Sequence, residues 1–176
     1  MPNPWYKTIA NWCKKRGKYT VILDRESKQP YLERYYLHPR WLTLGLFRVV
    51  IHKFWKSDDD TAYHDHPWLF WGSKLLEGDY IEHTPEGSFR RTPGKVRWHN
   101  GWDMHQIELD KDEAGNEKAV WTLFIMGVKV RNWGFIGDKT NWKWIKWDIF
   151  LQNKKKHTDV DIPVLSIDNS TTLRVD

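Results

Sequence analysis

Apolar residues fall at i, i+4 and i+7 in Trp5, Ile9 and Trp12, the spacing of one helical face. Asn3 and Pro4 stand just before them, an N-cap residue followed by one that fits the first helical position, and Gly17 suits the exit. The pattern predicts a short N-terminal helix that buries that face. From Tyr19 onward the period changes. Residues 19–23, 31–37, 46–55, 73–83, 96–98, 104–109 and 120–130 are rich in β-branched and aromatic side chains and read as strands, the fourth punctuated by Gly78. Turn signals separate them: residues 25–30, Thr84-Pro85-Glu86-Gly87, Pro93-Gly94, Asn100-Gly101 and residues 110–118. Many short strands between such turns argue for an all-β sandwich or barrel, and the lack of helical patterns between them argues against a parallel α/β sheet. Trp142, Trp144, Trp147 and Phe150 form an aromatic cluster expected to pack back on the barrel. The expected organisation is one domain over residues 1–152 and a polar, extended tail over residues 153–176.

Composition narrows the class. A chain of 176 residues is long enough to bury a core as one domain. Its longest apolar run, residues 42–50, is broken by Thr43 and Arg48 and falls well short of the roughly 20 residues of a membrane-spanning helix. Lys7, Lys14, Lys15 and Arg16 interrupt the N-terminus, so no signal peptide is read there. The single cysteine, Cys13, excludes an internal disulfide framework and a multi-cysteine zinc site, which makes a cytoplasmic setting the expectation. Lys and Arg number 28 against 23 Asp and Glu, a mixed surface that allows an anionic ligand and gives no basis for specific nucleic-acid readout. The 13 tryptophans and 8 histidines shift attention to the interior of the barrel.

The sharpest chemical signal is His64-Asp65-His66. On an extended chain residues i and i+2 point the same way, so both imidazoles can reach one metal ion. The pair is followed by Trp71 after four residues and by Gly78 after six more; later, Gly94 is followed by Asn100, Trp102, His105 and Leu109. This resembles the cupin family, whose first motif is G-x5-H-x-H-x3,4-E-x6-G and whose second is G-x5-P-x-G-x2-H-x3-N. His64, His66, Gly78, Gly94 and His105 match. Asp58 stands where the first motif opens with Gly, Trp71 replaces its Glu, Asn100 and Trp102 replace the Pro and Gly of the second, and Leu109 replaces its Asn. The run from Ser57-Asp58-Asp59-Asp60 to His64-Asp65-His66-Pro67-Trp68 is also similar to small cupin-like proteins, some from phages.

The resemblance implies a small antiparallel cupin β-barrel, of the double-stranded β-helix or jelly-roll type, with a divalent transition metal on His64, His66 and His105. Fe(II) is the first expectation, with Mn, Ni or Zn as alternatives. Three-histidine iron sites occur in the thiol dioxygenases of the same family, so oxygenase-like chemistry on a small molecule, an anionic one allowed by the net charge, is the leading reading. A sugar isomerase or epimerase, or a non-enzymatic binding or assembly module, is the alternative, and a homodimer is plausible.

Further candidates come from position. His52 is read as an extra ligand or pocket hydrogen-bonder, against a half-buried structural histidine. Glu82 is read as a displaced carboxylate ligand, against a solvent-facing strand residue. Asp60 could orient a metal-binding histidine, while Asp58-Asp59-Asp60 as a whole reads as a solvated loop. Arg97, Trp71 and Trp102 are candidates for a substrate pocket, an inward arginine needing an anionic partner. His83 and His99 occupy no motif position. No nucleophile elbow, P-loop or dinucleotide fingerprint is present.

Overall fold

The computed structural model describes residues 3–24, 27–58 and 62–157. Helix α1 (Trp5–Lys15) is followed by β1 (Tyr19–Leu23), β2 (Pro30–Tyr36), β3 (Arg48–Phe54), β4 (Tyr63–His64), β5 (Phe70–Glu77), β6 (Tyr80–Thr84), β7 (Gly87–Arg91), β8 (Arg97–Asn100), β9 (Gln106–Leu109), β10 (Val120–Met126), β11 (Gly134–Ile136) and β12 (Ile145–Lys146), and then by helix α2 (Trp147–His157). One wall is an antiparallel sheet in the order β1-β2-β3-β10-β5-β8. The other consists of two three-stranded sheets, β12-β11-β4 and β7-β6-β9. Among the described residues a bridge joins them: His64 N–H donates to His105 O at 2.8 Å and His105 N–H donates to His64 O at 3.0 Å. The second wall therefore runs β12-β11-β4-β9-β6-β7.

Leu32, Phe54, Leu75 and Val120 of the first wall pack against Tyr80, Ile107 and Leu109 of the second. Strand alternation then fixes the interior set: Arg34 and Tyr36 on β2, Val50 and His52 on β3, Thr122 and Phe124 on β10, Ser73 and Trp71 on β5. The all-β, two-walled architecture is the one the strand pattern predicts.

Four differences have physical causes. Residues 73–83 are two strands in two walls, because Gly78 turns the chain at φ +79° and sits so close to Val120 that a Cβ would lie 2.8 Å from its Cγ1. Strand β7 was hidden in sequence because it is a largely exposed hairpin strand with no apolar alternation. Helix α1 buries Tyr6, Ala10 and Cys13, leaving Trp5 53% and Trp12 42% exposed. Ala10 and Cys13 are small enough to let the helix close on Tyr19, Tyr35 and Trp121, while Trp12 lies under Arg16 and Lys18 at 4.7 and 4.9 Å. Helix α2 runs through the boundary expected at residues 152–153: Phe150 is buried against Phe135 at 4.3 Å and Trp147 stacks on Trp133 at 6.0 Å. The rest of the expected tail, residues 158–176, lies outside the described residues.

The Asn100-Gly101 turn is held by close approach of backbones. Gly101 N–H donates to Leu69 O, Gly101 O accepts from His66 N–H, and a Cβ on Gly101 would lie 1.7 Å from Trp68 O. Gly101→Ala is expected to lower stability by about 3 kcal/mol, because the obstacle is main chain and cannot swing aside. Urea denaturation checks this; a loss below about 1 kcal/mol would contradict it.

Candidate metal centre

The bridge that completes the second wall also places the first two histidines. Directly paired residues of an antiparallel ladder project their side chains to the same face, and the His64 and His105 rings lie 4.7 Å apart, centroid to centroid. Beyond β4 the chain stays pinned, Asp65 N–H donating to Gly134 O at 3.1 Å and His66 N–H to Gly101 O at 2.9 Å. The His66 ring thereby returns to the side of His64, 5.2 Å from it and 5.0 Å from His105. One ring nitrogen from each of the three lies within 4.8 Å of the others. Nε2 of His66 and Nε2 of His105 are 2.9 Å apart, a separation that one ion at about 2.1 Å from each nitrogen accepts.

The electrostatics orient His105 and hold His66 below the usual histidine range. Glu82 is 2% exposed and accepts from His105 Nδ1 at 2.9 Å with one oxygen and from Arg91 Nε at 2.6 Å with the other. Burial alone would raise its pKa, but the hydrogen bonds and charges of His105 and Arg91 outweigh that and bring it to about 2. The carboxylate is thus ionised and acceptor-only. It accepts the His105 Nδ1–H and so turns Nε2 toward His66. Asp58 lies behind His64 without hydrogen-bonding it, its Oδ2 3.7 Å from Nδ1, and is itself held by the Tyr31 hydroxyl and by Ile107 N–H at 2.7 Å. Burial, then the neighbouring His105 and His64, push His66 well below the usual histidine range.

The remaining sequence candidates fall in different places. Glu82 faces inward, against the solvent-facing alternative, and works through His105. Trp71 lies 4.8 Å from His66 and 4.9 Å from His105, sandwiched between His99 at 4.1 Å and Phe124 at 5.4 Å, with Nε1 donating to Asn100 O. It fills space where the motif has a carboxylate. His52 is buried but stands outside the three-histidine group, its Nε2 accepting from Arg34 Nε at 2.9 Å. Arg97 is half-buried with Nη2 enclosed. Trp102 is 54% exposed and lies under Arg131 at 5.4 Å. His83 bonds Ser88 and Glu108 at the surface. Asp60 lies outside the described residues. A cavity of about 350 Å³ opens against His105 and Glu82, lined further by Phe89, His99 and Met104.

Two supporting residues escaped the sequence reading, Asp58 as more than loop and Asp65 altogether. Asp65 points away from the histidines and is 1% exposed. It accepts from Arg131 Nη1 at 2.5 Å, Trp144 Nε1 at 2.9 Å and Gly134 N–H at 2.7 Å. It ties the segment carrying both histidines to the chain near β11 and to Trp144 beside β12. Its position between two candidate ligands was the available signal, since alternation places it on the opposite face.

No protein-family model matches the sequence, and no curated protein matches it. Solved structures do. A cupin-2 domain from Rhodospirillum rubrum superposes with TM-score 0.50 at 13% identity, over 68% of this chain and 75% of that one. A cupin 2 conserved barrel domain protein from Rhodopseudomonas palustris superposes with TM-score 0.50 at 10% identity, over 68% and 77%. This chain has the cupin fold, and at such identities the likeness carries the fold alone. No helix among the described residues is long and apolar enough to cross a membrane.

Asp65→Asn is expected to cost about 3 kcal/mol, because it breaks a largely buried ion pair while the neighbouring donors stay enclosed. Urea denaturation reads this directly; a variant within about 1 kcal/mol of the parent would contradict the assigned role.

Proposed function

We propose that this chain is a metal-dependent enzyme acting on a small molecule, with a divalent transition metal on His64, His66 and His105 and oxygenase-like chemistry as the reaction class. The observation that carries this is the convergence of three imidazole nitrogens inside the barrel, one of them presented by a buried carboxylate. Nitrogen donors suit Fe(II) first and Mn, Ni or Zn as alternatives. When bound, such an ion supplies Lewis acidity toward a coordinated oxygen atom and, as iron, a one-electron couple. Three protein ligands without a fourth leave positions for exogenous groups, the pattern of a catalytic rather than a closed structural site.

The chain's own residues prepare the site. Glu82 orients His105 and holds its proton on Nδ1. Trp71 and Phe124 wall the histidines on the first-wall side and exclude water from that face. The cavity against His105 and Glu82 gives a small molecule access from the other direction.

Chelator-treated protein titrated anaerobically with Fe(II), and separately with Mn, Ni and Zn, is expected to take up one ion per chain by elemental analysis. His105→Ala is expected to lower affinity at least about 100-fold, and Glu82→Gln about 10- to 100-fold, as loss of a carboxylate behind a ligating histidine does. Absence of uptake by the parent protein would overturn the proposal and favour a binding module built on the same barrel.

A further inference from the structure

The barrel interior carries more hydrogen-bond donors than its own acceptors satisfy. His52 is paired across the first wall with Arg34 on β2 and with Thr122 on β10, so the three side chains form one row on the inner face. Arg34 Nε donates to His52 Nε2 at 2.9 Å. A guanidinium offers no acceptor, so His52 Nε2 holds the lone pair. Burial, and then the Arg34 charge, hold His52 well below the usual histidine range and keep it neutral. Its one ring proton therefore sits on Nδ1. Among the described residues, that Nδ1–H has no acceptor and the Thr122 hydroxyl no partner, though both residues are 2% exposed. Buried donors left without acceptors are rare and costly, and call for a water, an ion or a ligand.

The acceptors that could have answered them are committed elsewhere. Glu82 spends its oxygens on His105 and Arg91, and Asp58 spends its own on Tyr31 and Ile107 N–H. Arg34 makes no ion pair with a carboxylate of the described residues. The row is also close to the candidate metal centre: His52 stacks on the Phe124 ring at 5.0 Å, and His66 meets the same ring at 6.0 Å.

We infer that Arg34, His52 Nδ1 and Thr122 Oγ1 form a subsite for a carboxylate group, and that the small molecule handled by the barrel is a carboxylic acid. The first part stands on these donors alone; the second rests on the proposed function. A guanidinium beside two neutral donors suits a flat monoanion, as a fixed fork of N–H groups matches carboxylate geometry. A phosphate dianion would need more positive charge than this row offers.

The test uses full-length, chelator-treated protein, histidine-labelled with ¹⁵N. Acetate, malonate, phosphate and neutral acetamide are titrated at constant ionic strength. Acetate and malonate are expected to shift the His52 ring resonances saturably, acetamide and phosphate to do so far more weakly. Arg34→Gln is expected to weaken acetate binding at least about tenfold, the loss typical of a charge-assisted contact. Thr122→Val separates ligand binding from folding. It removes a buried hydroxyl that no described residue satisfies, so its melting temperature should equal or exceed the parent's while acetate binds about tenfold more weakly. Equal binding of acetate and acetamide, preference for phosphate, or parental acetate affinity in Thr122→Val would each overturn the subsite. Metal uptake without carboxylate binding would overturn the subsite alone. Carboxylate binding without metal uptake would overturn the proposed function alone.

Discussion

One backbone bridge organises this molecule. His64 and His105 exchange both main-chain hydrogen bonds, and that exchange joins two three-stranded sheets into a second wall facing the first. The same two bonds set the spacing of two imidazoles. Wall continuity and ligand convergence are therefore one constraint: a slip of one residue in this register would turn one of the two rings away from the interior and separate the pair. His66 joins them because the next two residues are pinned to Gly134 and Gly101.

Around that bridge the carboxylates divide the work by face. Glu82 and Asp58 stand behind His105 and His64 and are themselves held by Arg91, Tyr31 and Ile107 N–H. Asp65 points the other way and is held there by Arg131, Trp144 and Gly134 N–H. Trp133 and Phe135 lie 6.2 and 6.3 Å from the His64 ring and stack on Trp147 and Phe150, so helix α2 packs on the histidine side of that segment. Between the walls, Trp71 and Phe124 fill the space beside the imidazoles, and this packing accounts for a tryptophan where the sequence motif has glutamate. A glutamate at that position would give up the stack on His99 and leave a carboxylate among rings.

Much of this was legible in the chain. Tyr19–Leu23 appears as the pattern predicts, the two-walled barrel follows from the strand and turn alternation, and the His64-Asp65-His66 and His105 spacing marked the residues that converge. What was hidden has identifiable reasons. Helical periodicity locates a stripe but does not decide between two stripes offset by one residue, so Trp5 and Trp12 hid Tyr6, Ala10 and Cys13, while Ile9 packs at the edge of the same cluster. An exposed hairpin strand such as β7 has no hydrophobic alternation to read. The roles of Glu82 and Asp65 depend on partners far off in sequence: Glu82 meets His105 across a β-ladder, and Asp65 meets Arg131 and Trp144. The Arg34–His52–Thr122 row appears only once β2, β3 and β10 are known to be neighbours.

The most direct measurement of the central claim is an anomalous-scattering map of crystals of the metal-loaded protein. The account predicts a single peak bounded by the three imidazoles, about 2.0–2.2 Å from one nitrogen each of His64, His66 and His105, with the His105 Nδ1 edge still on Glu82. A peak elsewhere, or histidine rings that turn apart when the metal is supplied, would contradict it.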